Sequence, residues 1–269
     1  MSAVRLAIAG ASGRMGRALL EAGSADPATA IAAALDVAGS PYAGRDAGDL
    51  VGGAKGVPVG ADIAAAVAAS DVLIDFTRPA GTLAHLAACH AARKAIVIGT
   101  TGLEPVQVEK VREAARDIAV VFAPNFAIGM LVTFKLVEMA SRALGAAYDV
   151  EVFEAHHKLK VDAPSGTALR LGEVAAAARG TTLAQDGVFA RHGVTGERKA
   201  GSIGFSVVRG GDMIGDHTVY FIGTGERIEV THRSSSRATY AQGAIRAAKW
   251  LSGRAPGLYD MDDVLGFRG

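Results

Sequence analysis

The sequence has a single cysteine, Cys89, among 269 residues. No intrachain disulfide framework is possible, and a reducing compartment is the simpler setting for such a chain. Cys89 lies in the helix-like run Thr82-Leu-Ala-His-Leu-Ala-Ala-Cys89, where a thiol reads as buried filler. A dominant charge is lacking as well: 28 Lys+Arg stand against 27 Asp+Glu, a net charge of +1. Bulk electrostatics therefore draws the chain to no nucleic acid and no anionic membrane, and any anionic ligand must be held by local geometry. A long apolar span is also missing. Residues 118–134 carry no charge, but Pro124, Asn125 and Gly129 break them into a strand, a loop and a helix start. Between Arg5 and the first glycine stand only Leu6-Ala-Ile-Ala9, too short an apolar run for a secretory leader. The expectation is a cytoplasmic protein.

What is present is alternation. Up to residue 125, short β-rich runs (4–9, 31–35, 72–76, 95–98, 119–122) alternate with alanine-rich helical runs (14–22, 62–69, 81–92, 104–115). Such βαβ units imply a parallel sheet with helices on both faces, whose ligands bind beyond the carboxyl ends of the strands. After Asn125 the texture changes. A helix is expected over 128–144 and a strand over 149–155, followed by β runs at 203–209, 217–222 and 227–232 that suggest a mixed or mainly antiparallel sheet. A final helix is expected over 239–251.

The first turn reads Gly10-Ala11-Ser12-Gly13-Arg14-Met15-Gly16. Glycines there let the backbone turn tightly and approach a pyrophosphate, which helix-start amides then meet. The spacing is G-x-x-G-x-x-G, which also serves a βα turn that binds nothing. Asp36 follows Gly16 by twenty residues at the end of the second strand, where an acid accepts from the ribose hydroxyls of a dinucleotide. Two more strand ends, Gly99-Thr100-Thr101-Gly102 and Ala123-Pro124-Asn125-Phe126, are candidates for lining the same crevice, with ordinary turn chemistry as the alternative.

The densest chemistry is Glu154-Ala-His156-His157-Lys158-Leu-Lys160-Val-Asp162-Ala-Pro-Ser165-Gly166-Thr167. Ser165 suits a helix N-cap and is itself a candidate substrate contact, the amides of Gly166 and Thr167 would point at an anion, and Lys160 adds a point charge. This is carboxylate-binding chemistry, although solvated lysines beside a capped helix would produce the same string. Adjacent histidines on a strand face opposite ways and no spaced Cys/His set accompanies them, so no metal site is expected.

In these runs, and in Asp75-Phe-Thr-Arg-Pro79 and Ser235-Ser-Arg237, the chain resembles the dihydrodipicolinate reductase family. The runs occur in the family's order from residue 4 to the final helix, and the Glu154–Thr167 segment is far more specific than any glycine loop. The resemblance implies an α/β fold: a Rossmann-type doubly wound parallel sheet with an inserted α+β domain for substrate and oligomerisation. It implies a dinucleotide-binding domain over 1–126 and 238–269, a substrate and tetramerisation domain over 127–237, and a homotetramer. It also implies roles. His156 matches the proton donor/acceptor and Lys160 the catalytic lysine, while His157, Gly166 and Thr167 match carboxylate contacts. Gly10 to Met15, Asp36, Gly99 to Thr101 and Ala123 to Phe126 match contacts to NADH or NADPH.

The implied reaction belongs to lysine biosynthesis by way of diaminopimelate: hydride reaches C4 of an unsaturated dicarboxylate ring after its 4-hydroxyl leaves as water. A positioned acid is needed as charge moves toward the ring nitrogen, and nicotinamide carries the redox chemistry without metal or flavin. One departure stands out. Many family members place an arginine after the ribose-binding acid, and here that residue is Val37. The alternative reading is another Rossmann-type amino- or hydroxy-acid dehydrogenase. A short-chain dehydrogenase would need Tyr-x-x-x-Lys, which none of the five tyrosines supplies. A nucleotide-sensing regulator gives no reason for the His/Lys cluster.

Overall fold

The computed structural model describes residues 3–236 and 238–268. Arg237, the last residue of the Ser235-Ser-Arg run, lies outside the described residues. The chain divides into two compact units, residues 1–128 with 237–269, and residues 129–236. In chain order the first piece holds β1 (Val4–Ala9), α1 (Arg14–Ala25), β2 (Thr29–Leu35), β3 (Val59–Gly60), α2 (Ile63–Ala69), β4 (Val72–Asp75), α3 (Pro79–Ala91), β5 (Ala95–Ile98), α4 (Pro105–Ala114) and β6 (Ala119–Phe122). Next come α5 (Ile128–Leu144), β7 (Asp149–His156), α6 (Gly166–Ala178), α7 (Leu183–Asp186), β8 (Gly187–Val188), β9 (Ile203–Arg209), β10 (Gly215–Ile222) and β11 (Arg227–Ser234). The chain then returns to the first unit with α8 (Ala238–Leu251), β12 (Gly257–Tyr259) and α9 (Met261–Leu265).

The first unit is an α/β sheet of seven strands in the order β12-β6-β5-β4-β1-β2-β3. Every pairing is parallel. Its inner strands are mostly apolar, with Arg5 near the start of β1 and Asp75 at the end of β4, and Leu6, Ile8, Leu73, Ile74, Ile96 and Ile98 are fully buried, as strands covered on both faces must be. The chain adds β2 and β3 on one side of β1 and then β4, β5 and β6 on the other. The strand order therefore reverses between β1 and β4, the position where such sheets open a crevice beyond their strand ends. Small residues seat the helices. A side chain on Gly23 of α1 would meet Ile31, Ile245 and Leu6, and one on Gly243 of α8 would stand 1.8 Å from the Phe126 carbonyl oxygen. α3 and α4 both begin on a proline at the first turn, and Glu104 and Gln107 form a capping box on α4.

The second unit is a five-stranded mixed sheet, β11-β10-β7-β9-β8. β10 pairs antiparallel with both β11 and β7, while β9 runs parallel to β7 and β8. Alternation on β7 sends Val150, Val152, Glu154 and His156 to one face, all of them buried. Three short strands and two short helices (β3, β8, β12, α7, α9) go beyond the elements expected from periodicity. Runs of two to five residues are too short to carry a period. Among the described residues no helix is long and apolar enough to cross a membrane.

Candidate active site

In the first unit the chemistry gathers where β1, β4, β5 and β6 end. Gly10 takes a positive φ of 67°, and the Gly13 amide donates to its carbonyl at 3.0 Å, closing the turn before α1. A Cβ on Gly16 would lie 2.1 Å from the Gly10 carbonyl oxygen, so the helix start sits directly on the turn. Gly13 is the N-cap of α1 and supplies no side-chain acceptor, which leaves the first-turn amides pointing outward without a protein partner of their own helix. Arg17 clamps this loop, donating to the Ser12 carbonyl at 3.0 Å, the Leu50 carbonyl at 3.3 Å and the Tyr42 hydroxyl at 3.1 Å.

Asp36 follows β2 and is half-buried. It accepts from the Val37 amide at 2.8 Å and the Ser40 hydroxyl at 2.9 Å. Burial pushes its pKa up, but Ser12, Val37 and Ser40 together hold it below the usual carboxylate range. It is an anion beside the glycine turn. Val37 is 74% exposed and offers no charge.

The next two strand ends are joined by a buried carboxylate. Asp75 accepts from the Thr77 amide and hydroxyl, both at 2.7 Å, from Thr100 Oγ1 at 3.2 Å, and pairs with His85 Nδ1 at 2.7 Å. Burial raises its pKa and these partners more than reverse that. The Phe76 ring fills the space over Gly99, where a Cβ would fall 2.1 Å from its Cε1 atom, and packs edge-on to Phe126 with centroids 5.1 Å apart. Asn125 Oδ1 accepts from the Ala127 amide at 2.8 Å, setting the turn after β6. Gly99, Thr100 and Phe126 thus belong to one packed rim, while Thr101 and Pro124 are exposed on it and Ala123 is buried beneath.

The second unit holds the cationic segment. His156 ends β7 and its Nδ1 meets Glu154 Oε2 at 2.6 Å. Glu154 is fully buried and also accepts two bonds from Arg209, at 2.7 and 2.8 Å, and one from the Ser165 amide at 3.0 Å. Burial pushes Glu154 up, but Arg209, His156 and Ser165 hold its pKa below the usual value. Ser165 caps α6, its hydroxyl accepting from the Ala168 amide and meeting His217 Nε2, both at 3.1 Å. Burial, with His156, His232 and Lys160 adding to it, brings the His217 pKa down to about 4. Its ring stands edge-on to that of His156 with centroids 5.1 Å apart. Beyond β7, Lys160 pairs with Asp162 at 2.8 Å and His157 has a buried Nδ1 without a partner. The amides of Gly166 and Thr167, at the start of α6, have no intrahelical acceptor.

Comparison with known proteins divides the chain at the first boundary between the two units. Residues 4–126 match the family model described as dihydrodipicolinate reductase, N-terminus, and residues 129–265 match its C-terminus. The 4-hydroxy-tetrahydrodipicolinate reductase of Aromatoleum aromaticum is 57% identical over all of this chain and 97% of its own length. The protein of the same name from Nitrosospira multiformis is 55% identical over the whole of both chains. The chain belongs to the dihydrodipicolinate reductase family.

A solved structure supports the same fold. The dipicolinate-bound dihydrodipicolinate reductase from Paenisporosarcina sp. TG-14 has a TM-score of 0.77 and 25% identity, covering 96% of this chain and 97% of that one. For this family member, two features go beyond what the sequence motifs suggested. Ser165 was a candidate ligand group, but its hydroxyl is spent on the helix cap and His217 and the residue is 2% exposed. The groups free to meet an anion are the amides of Gly166 and Thr167 and the half-buried Thr167 side chain. The clamping partners Arg17, His85 and Arg209 had no motif to announce them. Among the described residues no group of three or more His, Cys, Asp or Glu gathers as a metal site.

Proposed function

We propose that this chain reduces 4-hydroxy-tetrahydrodipicolinate to tetrahydrodipicolinate with NADH or NADPH, in the diaminopimelate route to lysine, as a cytoplasmic homotetramer. The observation that carries the reading is the pairing of a buried, carboxylate-oriented histidine with an open helix start in one segment of a family member. The first unit is assigned the nucleotide and the second the substrate. The glycine turn fits a pyrophosphate because its helix-start amides lack a cap, and the charged Asp36 beside it fits ribose hydroxyls. Gly10 to Met15, Asp36, Gly99 to Thr101 and Ala123 to Phe126 are assigned to the cofactor. When bound, nicotinamide supplies a hydride.

The remaining work falls to side chains of this molecule. One substrate carboxylate meets the amides of Gly166 and Thr167 and the Thr167 hydroxyl, aided by the dipole of α6. Lys160 and His157 add cationic and hydrogen-bonding contacts, Lys160 exchanging its Asp162 partner for the ligand. Two fixed carboxylates orient the ring, and His156 delivers a proton from Nε2 as negative charge develops on it.

A coupled assay tests this. The substrate is generated from pyruvate and aspartate semialdehyde by its synthase, and nucleotide oxidation is followed. Substrate-dependent oxidation without added metal is expected, with NADH used at least as well as NADPH. Asp36 accepts from a ribose 2′-hydroxyl but repels a 2′-phosphate, and Val37 gives no compensating cation. Val37→Arg should strengthen NADPH binding by ~1–2 kcal/mol, a charge-assisted contact less the cost of ordering the side chain. Wild type binding NADPH tenfold more tightly than NADH would show that another group reads the phosphate.

Dipicolinate, planar and carrying both carboxylates, should inhibit competitively. Thr167→Val removes a hydrogen bond to a charged group, and its inhibition constant should rise about tenfold. Ser12→Ala, in the other unit, should leave that constant alone. Equal inhibition of both variants would put the carboxylate site elsewhere.

A further inference from the structure

We propose that Glu154 is a positioning residue for this reaction: held by Arg209, it fixes His156 so that only Nε2 exchanges a proton, and it ties that proton donor to the carboxylate-binding turn. The inference rests on the functional reading above, and its starting point is β7. Glu154 and His156 are two residues apart on a strand, so their side chains share a face, and the imidazole reaches the carboxylate along its own strand. In the register of β7 with β9, His156 stands beside Arg209. The guanidinium reaches diagonally back to Glu154 with two nitrogens, in the fork geometry that carboxylates bind best.

The bonding at Glu154 decides the tautomer. Oε2 takes His156 Nδ1 and one Arg209 nitrogen, while Oε1 takes the other Arg209 nitrogen and the Ser165 amide. Four N–H groups use the full acceptor capacity of an ionised carboxyl. An ionised carboxylate can only accept, so His156 Nδ1 carries the hydrogen whether the ring is neutral or charged. The transferable proton is left on Nε2, to which no protein group among the described residues hydrogen-bonds. Gly215 keeps this nitrogen uncrowded, for a Cβ there would approach Nε2 to 3.1 Å.

The same carboxylate also holds the Ser165 amide, one residue before the Gly166 and Thr167 amides. A movement of Glu154 would thus displace the acid and the anion-binding turn together. The charged and titratable groups around His156 are Glu154 on its own strand, Arg209 on β9, His217 on β10 with His232 next to it on β11, and Lys160 and Asp162 in the loop that follows. Of these, Glu154 is the carboxylate in contact with the ring.

The test compares wild type with Glu154→Gln and Glu154→Asp. Glutamine keeps the shape and removes the charge. Its kcat should fall on the order of 10²-fold, as when an orienting carboxylate is lost from a histidine acid–base, with the KM for nucleotide unchanged. Aspartate retains the charge on a shorter side chain and should keep more of kcat than glutamine does.

Long-range 1H–15N spectra of histidine-labelled wild type supply a readout that needs no variant. His156 should show the Nδ1–H form throughout its neutral range. An Nε2–H form in wild type, or Glu154→Gln with wild-type kcat, overturns the proposal. If wild type fails to reduce the dicarboxylate, the functional reading falls alone, and the tautomer still decides what Glu154 does to His156.

Discussion

His156→Ala is expected to lower kcat on the order of 10²-fold or more, the usual contribution of a positioned acid or base. At 1.36 kcal/mol per decade this is about 2.7 kcal/mol of transition-state stabilisation. The fold should survive, because Glu154 keeps Arg209 and the Ser165 amide as partners when the imidazole is gone. Lys160→Ala should cause a comparable loss, divided between kcat and the KM for the dicarboxylate, since its ammonium is assigned to substrate and its partner Asp162 is exposed enough to be resolvated. Nucleotide affinity, read by fluorescence titration, should not change in either variant. Both residues lie in the 129–236 unit, while the glycine turn and Asp36 lie in the other. Near-normal turnover in either variant would remove that residue from the chemistry. A parallel loss of nucleotide binding would mean that the division of labour between the units is misassigned.

Which features could be read from the sequence follows from the range of the interactions behind them. The parallel sheet of the first unit was legible because each strand and helix is specified within a few residues: an apolar run, a glycine or proline at its end, a helix of small residues after it. The glycine turn before α1 and the placement of Asp36 after β2 were legible for the same reason. The clamps were not. Asp75 is tied to Thr100 twenty-five residues away and Glu154 to Arg209 fifty-five away, and only the register of β4 with β5 and of β7 with β9 brings them together. Alternation along β7 does put Glu154 and His156 on one face, so half of that clamp was present in the pattern. Ser165 shows the reverse case. Its string is right for a helix start beside an anion, but only the approach of His217 from β10 reveals that its hydroxyl is already engaged. Local patterns find backbone devices well, while side chains that position other side chains emerge from strand pairing.

Gly16→Ala is expected to damage both stability and nucleotide binding, and the reason is a contact between two stretches of backbone. The added methyl would lie 2.1 Å from the Gly10 carbonyl oxygen and 2.7 Å from both the Cα and the carbonyl oxygen of Ala11. No side chain can rotate away to make room. Relief requires α1 to lift off the turn, yet Leu19 and Leu20 are fully buried on its inner face, and Arg17 anchors the helix to Ser12, Leu50 and Tyr42. Overpacking of this kind costs on the order of 3 kcal/mol. For a chain of this size that corresponds to a Tm lower by roughly 6–12 °C. Because the amides assigned to the pyrophosphate lie in the strained turn, nucleotide affinity should fall at least about tenfold, a shift of 1.4 kcal/mol. Gly60→Ala is the matched control: it lies in the same unit, and its added methyl meets nothing within 4 Å. Calorimetry and nucleotide titration on both variants separate the outcomes. Wild-type Tm and affinity in Gly16→Ala would mean that the turn yields freely, and that close backbone approach is not what this glycine provides.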